Sequence, residues 1–96
     1  MVKQITAYAV EAQDPRSGRI KRYGIWEDRI DALSYRWLLI HANMGIRYQN
    51  VPVQLTKHGE GDTAYYTDAL GVQRSLDNPI IPRDELVALA SKRVAT

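Results

Sequence analysis

Residues 35–41 read YRWLLIH, and the direction this stretch faces decides the architecture of the chain. It belongs to a helix expected over about residues 29–44, opened by Asp28 as N-cap and closed by Gly45 at a left-handed C′ position. Asp31, three residues after the cap, is favoured by the helix dipole. At about 100° per residue, Ile30, Leu33, Trp37, Ile40, His41 and Met44 share one arc. Such an amphipathic face is expected to pack on a sheet, with His41 as a packed histidine. The far side carries a second apolar set, Ala32, Tyr35, Leu39 and Ala42, with Leu38 on the flank. Arg29, Arg36 and Asn43 make a polar seam beside it.

A helix apolar on two sides has two explanations. A C-terminal helix covers the second side through Leu86, Leu89 and Ala90, or that side is a contact surface. In the second case Tyr35, Arg36, Leu39 and Asn43 meet another protein or a second copy of the chain as a homodimer, since interfaces favour Tyr, Trp and Arg.

Working outward, QITAYAVEA (4–12) is β-branched and aromatic and predicts a strand. DPRSGR (14–19) has the residues of a four-residue hairpin loop, with Pro15 pre-set for the turn and Gly18 for the left-handed slot. RIKRYGIW (19–26) is the return strand. After the helix, IRYQNVPVQLT (46–56) is extended, and its alternation changes phase, as a bulge at Gln49–Asn50 would cause. Pro52 cannot donate to a ladder and predicts a strand edge there. TAYYTD (63–68) is a fourth strand, Asp68–Gly71 a type I turn, and VQRSL a fifth strand. Pro82 suits the first turn of a last helix, with Asp84 and Glu85 at its positive end. The expected fold is α+β, an antiparallel sheet of about five strands with helices on one face, in the order β-β-α-β-β-β-α. All 96 residues form one domain.

Composition is that of an ordinary globule, 45% apolar and 25% charged. With no cysteine there is no disulfide framework and no thiolate metal cluster, which fits a reducing cytoplasm. No apolar run approaches the length of a membrane span, and the N-terminus lacks the basic-then-apolar pattern of a signal peptide. The net charge of +2 is mild. Its distribution matters more: residues 16–25 hold Arg16, Arg19, Lys21 and Arg22 with no acid, while KHGEGD (57–62) leans acidic, so the molecule is expected to be bipolar.

Signatures of catalysis are thin. No serine stands in a nucleophile-elbow context, Gly59 and Gly61 lack the Lys-Ser/Thr of a phosphate loop, and His58, Glu60 and Asp62 sit in a loop too glycine-rich to predict a metal site. The expectation is a non-enzymatic binding module without cofactor or metal, which occludes or bridges a partner protein, with the basic hairpin as a charged second contact. Inhibitory and accessory proteins of phages and mobile elements are of this size and kind. The alternative is nucleic-acid binding through the hairpin: cations for phosphates, with Tyr23 and Trp26 placed to stack on bases.

Overall fold

A computed structural model describes residues 2–42 and 46–95, with side chains placed through Lys92. The elements are β1 (Val2–Gln13), β2 (Ile20–Trp26), α1 (Arg29–Ala42), β3 (Tyr48–His58), β4 (Tyr65–Thr67), β5 (Gln73–Arg74) and α2 (Arg83–Ala95), with a 3-10 turn at Gly61–Thr63. The five strands form one antiparallel sheet in the order β2-β1-β3-β4-β5. The molecule is elongated, 51 × 30 × 17 Å, and the long β1 and β3 pair along nearly their whole length.

Local chemistry builds the turns as the residues predict. Asp14 Oδ1 accepts from the Arg16 and Ser17 amides, Gly18 N donates to the Asp14 carbonyl at 2.8 Å, and Gly18 takes a φ of 73°. Asp68 does the same for the β4–β5 turn: Oδ1 accepts from Leu70 N and Val72 N, and Oδ2 holds Arg74. Asp28 Oδ1 caps α1 through the Ile30 amide at 2.8 Å, and the Pro82 carbonyl accepts from Leu86 N at the start of α2.

The sheet buries both faces. On the helix side, Val10 and Ala12 of β1, Tyr23 and Trp26 of β2 and Tyr48 of β3 pack with Ala32, Tyr35 and Leu39 of α1 and Leu86 of α2. On the other side Ala7, Ala9, Ile25 and Leu55 form a second cluster, covered by Tyr66 and Leu76. Leu76 follows β5, at the opposite edge of the sheet from β2, yet packs in one cluster with Ile25. The sheet is therefore curled. From there the chain passes round the β2 edge: Asp77 N donates to the Ile25 carbonyl at 2.7 Å and Ile80 N to the Tyr23 carbonyl at 2.9 Å. Ile81 then joins the helix-side cluster, and α2 follows.

Burial of both faces corrects one expectation. β3 holds an unbroken register with β1 from Tyr48 to His58, so no bulge lies at Gln49–Asn50. The phase change arises because Tyr48 is buried under α1, whereas Leu55 is buried under the opposite cover. The register shift lies instead between β1 and β2, at Val10/Glu11, where Gly24 and Arg22 are the successive partners and Tyr23 is the extra residue. Pro52 does sit at an edge: β4 pairs only with 56–58, so β1 is the one strand paired with that part of β3.

The larger correction concerns α1. The arc that packs inward is Ala32, Tyr35 and Leu39, and the arc expected to be core faces out. Tyr35 and Leu39 are each 1% exposed, while Ile30 is 72% and Trp37 57% exposed. Two polar bonds fix this rotation. The Tyr35 hydroxyl donates to the Ile81 carbonyl at 2.8 Å, and Arg36 Nε donates to the Tyr48 carbonyl at 2.8 Å. One ties α1 to the segment leading into α2 and the other ties it to β3, so α1 must turn one broad side to both. Burial in turn raises the Tyr35 hydroxyl above its ordinary pKa. In α2, Leu86 and Ala90 are buried as expected, but Leu89 is exposed.

Candidate interaction surfaces

Tyr35 and Leu39 cannot be contact anchors, because both lie in the core. Arg36 is half-buried and occupied with β3, and Asn43 lies outside the described residues. The surface that α1 offers is the opposite one. Ile30 and Trp37 stand outward with Leu33 half-buried between them, and Ile40, the next step of this 3-4-3 spacing of a helix-packing seam, is half-buried against the helix-side core. His41 is exposed rather than packed, and its ring stacks on Trp37 with centroids 5.6 Å apart and planes at 22°. The stack is an i, i+4 pair, which stabilises the last turns of the helix and holds the indole against its own helix. Met44, expected on this face, lies outside the described residues.

The hairpin separates its four predicted cations. Arg22 Nε and Nη2 both donate to Glu11 Oε2, at 2.9 and 2.7 Å, which pairs its charge within the hairpin. Arg16, Arg19 and Lys21 remain exposed, and Lys21 Nζ lies 5.1 Å from the Tyr23 ring centroid. They border a groove of about 640 Å³ with Ala12, Ile20, Tyr23 and Ile46 among its walls. A smaller depression of about 370 Å³ beside the loop has Gly18, Arg47 and Gln49 in its lining. Neither predicted stacking ring is available for bases. Tyr23 is buried edge-on against Tyr48, with centroids 5.4 Å apart, and Trp26 is buried against Tyr35 at 4.6 Å.

The groove floor was not foreseen. Ala12 and Ile46 look like ordinary strand and loop residues, and the pairing of β3 with β1, which sets Tyr48 opposite Ala12, brings them together. The α1 surface had a signal that was read with the opposite sign. Ala32 and Ala42 in the Tyr35 arc allow the helix backbone to approach a sheet closely, whereas Ile30 and Trp37 hold it away.

Charge is bipolar, with the acidic pole elsewhere than expected. Glu27, Asp28 and Asp31 at the start of α1 face Asp77 near Tyr8. Six residues along β1 separate Tyr8 from Asp14 in the basic loop, about 20 Å at the rise of a strand. Asp77 adopts a φ of 54°, in the left-handed region. Its carboxyl is raised above the ordinary 3.8, first by burial and then by the charges of Asp31 and Glu27. A raised pKa in the folded state means that folding favours the protonated form. The stability linked to this group is fully present below the ordinary pKa and is lost as pH rises through the raised one. Asp77→Asn removes the charge, keeps an oxygen acceptor for the Glu27 amide and suits the left-handed backbone. It is expected to stabilise the fold by about 0.5 kcal/mol at neutral pH, the size of an exposed like-charge term, and by nothing near pH 3. Denaturation curves at the two pH values check this; a loss of stability at pH 7 contradicts it.

His58, Glu60 and Asp62 do not converge. His58 stacks on Tyr65 at 4.6 Å, with Nε2 2.9 Å from Thr67 Oγ1, and among the described residues no group of three His, Cys, Asp or Glu is arranged to hold a metal. No helix among them is long and apolar enough to cross a membrane. No family model matches this chain, and no curated protein or solved structure matches it either.

Proposed function

We propose that the protein is a non-enzymatic binding module that occludes or bridges another protein through the outward face of α1. What supports this is the exposure of Ile30 and Trp37 on a helix whose opposite face is fully buried. Neither residue belongs to the buried core, and a large rigid indole beside aliphatics has the make-up of an interface anchor.

The flanking charges favour a different protein over a second copy. In the seam that runs through Ile30, Leu33, Trp37 and Ile40, the adjacent positions are Arg29 and Arg36 on one side and Ser34 and His41 on the other. Antiparallel pairing of two copies sets arginine against arginine, and parallel pairing sets it against serine or histidine. Arg36 is already held through Nε by the Tyr48 carbonyl, so an apolar surface bordered by aspartate or glutamate satisfies Arg29 first. The partner is therefore an acidic-flanked apolar helix or groove.

The test is site-specific photocrosslinking from position 37 in cells, with position 87 on α2 as control. One discrete adduct is expected from position 37, lost when Ile30→Ser is added and weakened by high salt. Equal labelling from both positions, or an adduct of twice the chain mass, overturns this reading. In the isolated protein, acrylamide should quench Trp37 readily and Trp26 poorly. Spectra of Trp37→Phe and Trp26→Phe variants separate the two.

A further inference from the structure

The groove at the base of the β1–β2 hairpin is independent of the α1 surface, and its chemistry differs. Ala12 and Tyr23 line it from the two strands and Ile46 from the segment before β3, while Arg16, Arg19 and Lys21 stand along its border. Its volume of about 640 Å³ falls within the roughly 300–1,000 Å³ that small-molecule sites occupy. One acid lines it, Asp14, and that carboxylate is engaged by the Arg16 and Ser17 amides. Among the described residues the three cations make no ion pair, unlike Arg22 and Arg74, which are matched to Glu11 and Asp68.

We infer that this groove binds a small amphiphilic carboxylate, with its aliphatic body on Ala12, Tyr23 and Ile46 and its anionic head on Arg19 and Lys21. An aliphatic body fits better than a base or sugar. Tyr23 is buried, with Tyr48 in an edge contact and Lys21 over its ring, which leaves little face for a base, and Ala12, Ile20 and Ile46 supply aliphatic lining. Arginine presents a planar fork that matches a carboxylate, and a lysine beside it adds charge without fixing geometry. Arg16 lies in the loop itself, beyond the two strands that carry Ala12 and Tyr23, and so serves to attract rather than to orient.

The experiment is a titration of the ¹⁵N-labelled full chain with decanoate, kept below its micelle concentration and followed in amide correlation spectra. Decanol and inorganic phosphate serve as comparison probes. Shifts are expected at Ala12, Gln13, Lys21, Tyr23 and Ile46 with decanoate, and smaller or absent shifts with decanol and with phosphate. Arg19→Gln with Lys21→Gln should weaken decanoate about tenfold or more, the loss of a charge-assisted head contact. Ile46→Ser should weaken it while leaving the spectrum otherwise folded, since Ile46 is exposed and its removal costs the core little. Equal binding of decanol removes the anionic head from the site. Equal binding of phosphate removes the aliphatic body. Shifts confined to Ile30 and Trp37, or none at saturating probe, overturn the assignment to this groove. None of these outcomes bears on the α1 surface crosslink, so the two proposals fail separately.

Discussion

Leu39→Ala is expected to cost about 2–5 kcal/mol and Tyr35→Ala about 3–5 kcal/mol, the range for large buried side chains. Both residues are 1% exposed and lie in the same cluster as Trp26, Tyr48 and Leu86. Tyr35 carries a second contribution, because its hydroxyl satisfies the Ile81 carbonyl. Losing that donor leaves a half-buried acceptor short of a partner, at about 1–2 kcal/mol. The two losses are not expected to add, since the residues share neighbours. A domain of this size has about 5–15 kcal/mol in total, so the double variant Tyr35→Ser, Leu39→Ser should be unfolded at ordinary temperature. The matched control is Ile30→Ser, Trp37→Ser on the outward face. Each of those substitutions should change stability by about 0.5 kcal/mol or less. At roughly 4–8 °C per kcal/mol, the two double variants differ by tens of degrees. A pair of thermal melts decides the rotation of α1. If the Ile30, Trp37 variant is the one that melts early, the helix faces the other way and the interaction surface proposed for it does not exist.

Gly24→Ala is expected to destabilise by about 1–3 kcal/mol, although replacing glycine in a strand ordinarily gains up to about 1 kcal/mol. The reason is space. A Cβ on Gly24 would stand 2.7 Å from Trp26 Cη2 and 3.1 Å from both Trp26 Cζ3 and the Pro79 Cα. None of these atoms is free to give way. The Trp26 ring is held against Tyr35 at 4.6 Å, and Pro79 lies between the two backbone bonds that fasten residues 77 and 80 to β2. Relief would come only by lifting the 77–80 segment from the β2 edge, which exposes that edge and loosens the approach to α2. Hydrogen exchange should therefore show faster exchange at Asp77 and Ile80 in the variant, beyond the drop in melting temperature. A more stable Gly24→Ala protein would mean that Trp26 does not lie across the strand.

The sequence by itself determined the local chemistry. The order of elements, the loop at Asp14–Arg19, the Asp68 turn and the Asp28 cap follow from side chains bonding amides two to four residues away. Such bonds need no tertiary partner. The unpaired edge of β3 at Pro52 followed in the same way, from a missing donor. Where the pattern misled, the cause was long-range. Hydrophobic burial has no direction of its own, so two apolar arcs on one helix are nearly equivalent until something outside the helix chooses between them. Tyr35 bonding Ile81, Arg36 bonding Tyr48 and α2 packing through Leu86 made that choice, across 12 to 46 residues of sequence for the two bonds. The same is true of Tyr23 and Trp26, whose letters beside a basic run suggested a stacking platform. The bulge at Val10/Glu11 and the rotation of α1 turned both rings into the core. Tertiary structure thus decided which of the chain's aromatic residues are structural and which, Trp37 above all, stand exposed on the surface.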